Sequence, residues 1–260
     1  MKVVAINGSP RKDGNCAQML EVLGKVFEQE GIEFEVCQPG AKVHPCMACY
    51  HCLDNGTLRC VQDDDGVNEI IAKCIEADGI VLASPVYHGG IAGGMKCVLD
   101  RLILAAGCGE NKLHHKGGAA LCTLRRSGGM ETYQQLLGTI NTMEMVLVTS
   151  DYWNAVHGAD KGEAVQDIEG VEVIEKLGRN IAWMLKVIDN TTDQAEFDKI
   201  QHVYYITRHT TYVLTPLLTA QVEDTFVDAR KTDFTGEGES LQGYLEEMQT
   251  LARAQASDAT

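Results

Sequence analysis

The first 189 residues alternate short apolar runs with helix-periodic segments, which predicts a doubly wound α/β fold around a five-stranded parallel sheet. Two further observations agree. The apolar runs are continuous rather than alternating, as strands buried on both faces must be. Of the 260 residues 45% are hydrophobic, enough for one sizeable core with an appendage.

Residues 2–6 (Lys-Val-Val-Ala-Ile) form the first strand, which Asn7, Gly8, Ser9 and Pro10 break. Residues 17–28 then have helical periodicity, and a second strand covers 33–37. A cysteine-bearing loop over 44–65 precedes a helix over 67–76. The third strand covers 79–84 and leads to a helix over 96–104; the fourth covers 118–124 and leads to a helix over 131–141. The fifth strand covers 145–149. The closing helix over 171–188 sets Leu177, Ile181, Leu185 and Ile188 on one face. Five such units fit a flavodoxin-like arrangement, with a ligand crevice at the carboxyl ends of the strands. The pattern changes after Asp189, and residues 190–260 read as a partly helical C-terminal extension, not a separate domain.

Four cysteines crowd the loop before the third strand: Cys46, Cys49 and Cys52 at x2 intervals, then Cys60. Tight C-x2-C-x2-C runs hold [4Fe–4S] clusters, because successive thiolates converge with little backbone rearrangement. Zinc more often uses two separated pairs, so the spacing favours iron–sulfur over zinc. Free thiols without metal are the plainer alternative, since cysteine is also a small core hydrophobe. Cys16, Cys37, Cys74, Cys97, Cys108 and Cys122 mostly lie in apolar or helical contexts and fit that description. The start Met-Lys-Val-Val-Ala-Ile carries no leader pattern, so a cytoplasmic protein with reduced thiols is expected. No apolar run is long enough to span a membrane. A net charge of −15 argues against nucleic acid.

Three loops carry candidate ligand groups. The first, running from Asn7 to Cys16 with Ser9, Arg11 and Asn15 as added donors, joins a strand to a helix and suits a monophosphate at the helix N-terminus. It has neither the nucleoside-triphosphate P-loop pattern nor the dinucleotide glycine fingerprint. The second contains Pro85, Val86, Tyr87, His88 and Gly89, where planar side chains and close backbone approach suit a flat ring system. The third, Arg125 through Gly129, sets cations beside two glycines. Ordinary polar or basic turns are the alternative for each loop. Tyr152 and Trp153, after the fifth strand, either cover the crevice or pack beneath the extension.

Ile6-Asn7-Gly8-Ser9-Pro10-Arg11, Ser84-Pro85-Val86-Tyr87, the segment 96–101, Arg126-Ser127-Gly128-Gly129 and Leu177-Gly178-Arg179-Asn180 resemble the NAD(P)H-dependent FMN reductase superfamily of flavodoxin-like proteins. With Cys46, Cys49, Cys52 and Cys60 the chain looks most like its iron–sulfur flavoprotein branch. The resemblance covers about residues 1–187. It implies FMN, with phosphate at Ser9, Arg11, Asn15 and Cys16. The isoalloxazine would lie at Pro85, Val86, Tyr87, His88 and Gly89 and at Arg126, Ser127, Gly128 and Gly129. It implies a homo-oligomer, dimer or tetramer, in which one subunit's cluster approaches another's flavin. Cys16 stands where the family usually has Thr or Ser, which replaces a hydroxyl with a weaker S–H donor.

The expected activity is electron transfer between a ferredoxin-like or nicotinamide donor and a small-molecule acceptor, through FMN and a [4Fe–4S] cluster. The alternatives are a cluster-free NAD(P)H-dependent flavin, quinone or azo reductase, and a non-enzymatic flavin electron carrier. The extension, with Phe197, Tyr204, Tyr205 and Tyr212, is expected to wrap a neighbouring subunit or cover the flavin crevice.

Overall fold

The computed structural model describes residues 1–40 and 42–191. Strands β1 (Lys2–Asn7), β2 (Glu33–Cys37), β3 (Gly79–Pro85), β4 (Gly117–Leu124) and β5 (Val146–Leu147) form a parallel sheet in the order β2-β1-β3-β4-β5. Every neighbouring pair is parallel, with Val4 opposite both Glu35 and Ile80. Helices α1 (Asn15–Glu30), α3 (Val67–Glu76), α4 (Gly93–Leu102), α5 (Gly129–Thr142) and α6 (Ile168–Thr191) cover the two faces. The four-residue α2 (His51–Asp54), which sequence periodicity does not disclose, lies within the cysteine loop.

The two-residue side-chain period of a strand sorts the core. Val3, Ala5, Val81, Ala83, Ala119 and Leu121 face α1 and α6. Their alternates Val4, Ile6, Ile80, Leu82, Ala120 and Cys122 face α3, α4 and α5. Gly178 lets α6 settle close on α1, since an added Cβ would lie 3.0 Å from Val26 Cγ1.

The fifth strand differs from expectation. Only Val146 and Leu147 pair with β4, and a further strand, β6 (Ala155–His157), returns to the same edge opposite Cys122 to Leu124. Side chains replace the sheet ladder between them. Asn154, fully buried, donates to Ala120 O at 2.8 Å and to Tyr133 Oη at 3.2 Å, and Ser150 donates to its Oδ1 at 2.7 Å. The intervening loop thrusts Tyr152 and Trp153 outward, half exposed and paired ring to ring at 4.7 Å. They wall an open groove of about 610 Å³ against Met130 and Tyr133.

None of the described helices is long and apolar enough to cross a membrane. The expected extension lies outside the described residues, apart from residues 190–191, which close α6.

Candidate functional site

The chain runs outward from β1 to β2 and then crosses back to β3. The loops after β1 and β3 therefore leave the sheet in opposite senses, which opens a crevice at their carboxyl ends. The loop after β1 is held rigidly. Gly8 N–H donates to Ala83 O at 2.7 Å, Ser9 N–H to Asn7 Oδ1 at 3.1 Å, and Arg11 N–H to Ser9 Oγ at 3.1 Å. Gln38, just past β2, donates to Ser9 O at 2.5 Å. Ser9 is buried and its hydroxyl proton is uncommitted, whereas Arg11 is exposed. The α1 N-cap is Gly14, which brings no capping side chain. The first N–H groups of α1 have no intrahelical partner, and so they face the crevice rim as anion donors.

Asn15 and Cys16 contribute differently from expectation. Asn15 Nδ2 donates to Gly158 O at 3.1 Å, and its Oδ1 accepts from Gly162 N–H at 2.9 Å. The side chain thus ties the loop after β6 to the start of α1. The Cys16 sulfur is buried and lies 3.1 Å from Thr123 Oγ1 at the end of β4. Burial pushes this thiol up to about 12, against the opposing effect of Thr123. Both side chains are engaged in scaffolding, and the backbone N–H groups at these two positions are what remain for an anion.

The loops after β3 and β4 meet. Tyr87 and Gly90 exchange backbone hydrogen bonds at 2.9 and 3.2 Å around His88 and Gly89, whose φ angles of 50° and 79° give the two left-handed residues of a tight turn. Val86 N–H donates to Thr123 O at 2.9 Å, which joins Pro85 and Val86 to the end of β4. Gly128, φ 83°, packs so closely that an added Cβ would lie 2.9 Å from Val86 Cγ1 and 3.0 Å from Gly89 Cα. Tyr87, His88 and Gly89 are exposed beside exposed Arg126 and Ser127, with Gly129 buried at the start of α5. The structure thus brings the three candidate loops to one rim.

The cysteine loop leaves β2 at the same end of the sheet. Cys49 is exposed, Cys46 and Cys60 are half-buried, and Cys52 is buried. Gln62 Nε2 donates to Pro45 O at 3.0 Å and reaches Cys60 Sγ at 3.9 Å, which draws together the two ends of the loop. Ala48 N–H donates to Cys46 Sγ at 3.5 Å. Burial pushes the Cys52 thiol up; nearby N–H groups oppose this, and the charges of Cys60 and Cys49 add to it. Three residues other than glycine, Ala48, Tyr50 and Leu58, adopt left-handed φ of 52°, 56° and 53°. Such strain persists only where surroundings over-determine it, and it concentrates at ligand sites.

The family model described as NADPH-dependent FMN reductase matches residues 1–160. The chain belongs to that family. An iron-sulfur flavoprotein of Methanocaldococcus jannaschii is 34% identical over 195 residues, spanning 72% of this chain and 99% of that protein. An iron-sulfur flavoprotein of Methanosarcina thermophila is 32% identical over 198 residues, spanning 75% of this chain and all of that protein. These relatives put the chain in the iron–sulfur flavoprotein branch of the FMN reductase family. Among solved structures, RosB with bound 8-demethyl-8-formylriboflavin-5'-phosphate matches with a TM-score of 0.59 at 17% identity. That match covers 78% of this chain and 87% of RosB, a likeness of fold alone. The chain is a flavin-dependent oxidoreductase of flavodoxin-like fold.

The residues present suit the family's cofactors. An uncapped helix N-terminus beside Ser9 and Arg11 matches a phosphate ester. Among the described residues no three His, Cys, Asp or Glu side chains stand close enough to share a single metal ion. Fit to an iron–sulfur group rests on donor chemistry: four thiols on one strained loop, an N–H donor on Cys46, and a buried cation beside Cys60. That cation is Arg101, which sequence reading did not connect to the cysteines. Gln38, Asn68 and Asn154 were likewise missed. Arg101, Asn68 and Asn154 are buried and Gln38 is half-buried; their packing, not a motif, marks them out, and no local signal discloses it.

Proposed function

We propose that this flavin-dependent oxidoreductase carries FMN and a [4Fe–4S] cluster, and transfers electrons between a ferredoxin-like or nicotinamide donor and a small-molecule acceptor. The observation that carries the reading is the placement of a four-thiol loop and three flavin-type loops at the carboxyl ends of adjacent strands. Flavin handles electrons singly or in pairs, whereas a cluster moves them one at a time, so together they join one-electron donors to two-electron acceptors.

The chain's own residues bind and orient. The α1 N-terminus with Ser9, Arg11 and the backbone of Asn15 and Cys16 holds the phosphate. The Tyr87–Gly90 turn and the Arg126–Gly129 loop bound the ring, with Pro85 and Val86 beneath them. Gly128 keeps the two turns pressed together. Cys46, Cys49, Cys52 and Cys60 hold the cluster. Met47 and Tyr50, 59% and 51% exposed beside Cys49, make an apolar rim suited to protein contact, either a second subunit of a homodimer or homotetramer or an electron donor. The setting is cytoplasmic.

Protein purified without oxygen tests this reading by its visible spectrum with iron and sulfide analysis. Flavin bands with about four irons and four sulfides per chain are expected. Cys49→Ser should lose the cluster and keep the flavin. Flavin without iron, together with steady NAD(P)H oxidation by metal-free protein, would replace the reading with a cluster-free nicotinamide-dependent reductase.

A further inference from the structure

Arg101 projects from the last turn of α4 into the cysteine loop, and neither it nor Asp65 is reached by solvent, with side chains 0% and 1% exposed. Nη1 donates to Asp65 Oδ2 at 2.5 Å and to His44 O at 3.4 Å, while Nη2 donates to Gln62 O at 2.6 Å. His44 lies before Cys46, and Gln62 and Asp65 lie after Cys60. One guanidinium therefore clamps both ends of the segment that carries all four thiols.

Two features set this pair apart from an ordinary core ion pair. Arg101 Nε is buried and has no hydrogen-bond partner among the described residues, although an unmet buried donor is costly. Gln62, whose carbonyl accepts from Arg101 Nη2, also reaches Cys60 Sγ with its Nε2 at 3.9 Å, so the guanidinium is anchored two residues from that thiol. Cys60 itself is gripped from below: its N–H donates to Asn68 Oδ1 at 2.8 Å and its carbonyl accepts from Asn68 Nδ2 at 2.9 Å. The Cys60 backbone is thus fixed beside a buried cation that has a donor to spare. A core held by four thiolates is net negative, and charge and hydrogen bonds at its sulfurs set both retention and potential.

We propose that Arg101 is the positioning residue of the cysteine centre, fixing both ends of the loop and supplying the Cys60 sulfur with its remaining Nε–H donor and positive charge. The inference rests on the iron–sulfur reading above. The test uses holoprotein purified without oxygen, comparing the unmutated chain with Arg101→Lys and with the double variant Arg101→Met/Asp65→Leu. Removing both charges leaves no unpaired ion in the core, so the double variant should fold and keep its flavin. It should retain less than about half the iron of the unmutated protein, and any cluster kept should have a more negative midpoint potential, because the Cys60 sulfur loses a hydrogen-bond donor that favours the reduced form. Arg101→Lys keeps a charge without the fork and should fall between.

Unmutated iron content and potential in the double variant would overturn the proposal. Should either variant lose its flavin, the unmutated holoprotein decides. With nitrogen-15 arginine, pulsed paramagnetic resonance of the reduced cluster should show an arginine nitrogen coupling that survives Arg59→Lys, and its absence would overturn the proposal. Unmutated protein without iron would sink the iron–sulfur reading itself, a result distinct from an iron-loaded protein indifferent to Arg101.

Discussion

Giving Gly128 a side chain strikes the point where two of the presumed flavin loops touch. Its φ of 83° is left-handed, which costs an L-residue about 1–2 kcal/mol. The new Cβ of Gly128→Ala would lie 2.9 Å from Val86 Cγ1 and 3.0 Å from Gly89 Cα. Val86 can shift its methyl, but Gly89 Cα is backbone, so the two turns must move apart. Overpacking by one methyl costs about 1–3 kcal/mol. The two effects sum to about 2–5 kcal/mol, and 1.4 kcal/mol is tenfold in affinity. If flavin seats only on the closed pair of turns, binding should weaken by about 30-fold or more.

Titration of flavin-free protein with FMN, followed by quenching of flavin fluorescence, measures this directly. Thermal unfolding of the flavin-free variant reports whatever strain is released before binding. Gly89→Ala is the control: its φ is 79°, yet nothing lies within 4 Å of an added Cβ. It incurs only the backbone term, so its loss should stay within about fivefold to 30-fold. Gly128→Ala binding FMN as tightly as Gly89→Ala, with equal melting, would refute the argument that close approach of these loops seats the flavin.

Three further outcomes are expected. In folded, cluster-free protein at pH 8, iodoacetamide should modify exposed Cys49 and spare Cys16, whose thiol is buried and pushed up to about 12; peptide mass spectrometry decides, and comparable labelling of both would contradict the burial. Asn15→Ala removes the ties to Gly158 O and Gly162 N–H and should cost about 1–3 kcal/mol, lowering Tm by roughly 2–4 °C for each kcal/mol. Burial opposes the charge on Asp167, but the N–H groups of His157 and Gly170 outweigh it and hold the carboxyl below its usual range. The stability it contributes is complete above the unfolded value of about 3.9 and is lost as pH falls through the lower folded value. Asp167→Asn should therefore be less stable than the unmutated chain at neutral pH, with the difference shrinking as the pH is taken below about 3; a difference constant with pH would contradict it.

Patterns that repeat along the chain were legible without a structure. Continuous apolar runs at 2–6, 79–84 and 118–124 are strands buried on both faces, and their alternation with amphipathic helices leaves little choice of topology. The thiol spacing and the glycine-bearing turns were legible too, because metal and phosphate chemistry make local demands on neighbouring residues. The division of the fifth strand was not, since residues 145–149 are as apolar as a strand should be. What ends the ladder after Val148 is the Asn154 side chain, which takes up Ala120 O, 34 positions away.

The local order of residue types along the backbone was enough to name the fold and the family and to nominate the cysteines and loops. Folding alone decided how each nominated residue serves. It turned the Asn15 and Cys16 side chains inward to brace neighbouring loops, pressed Gly128 against Gly89, and buried Arg101 against both ends of the thiol segment. The reason is physical: a hydrogen bond or a buried charge depends on what the rest of the chain brings within about 3 Å, and spacing along the sequence carries no record of that.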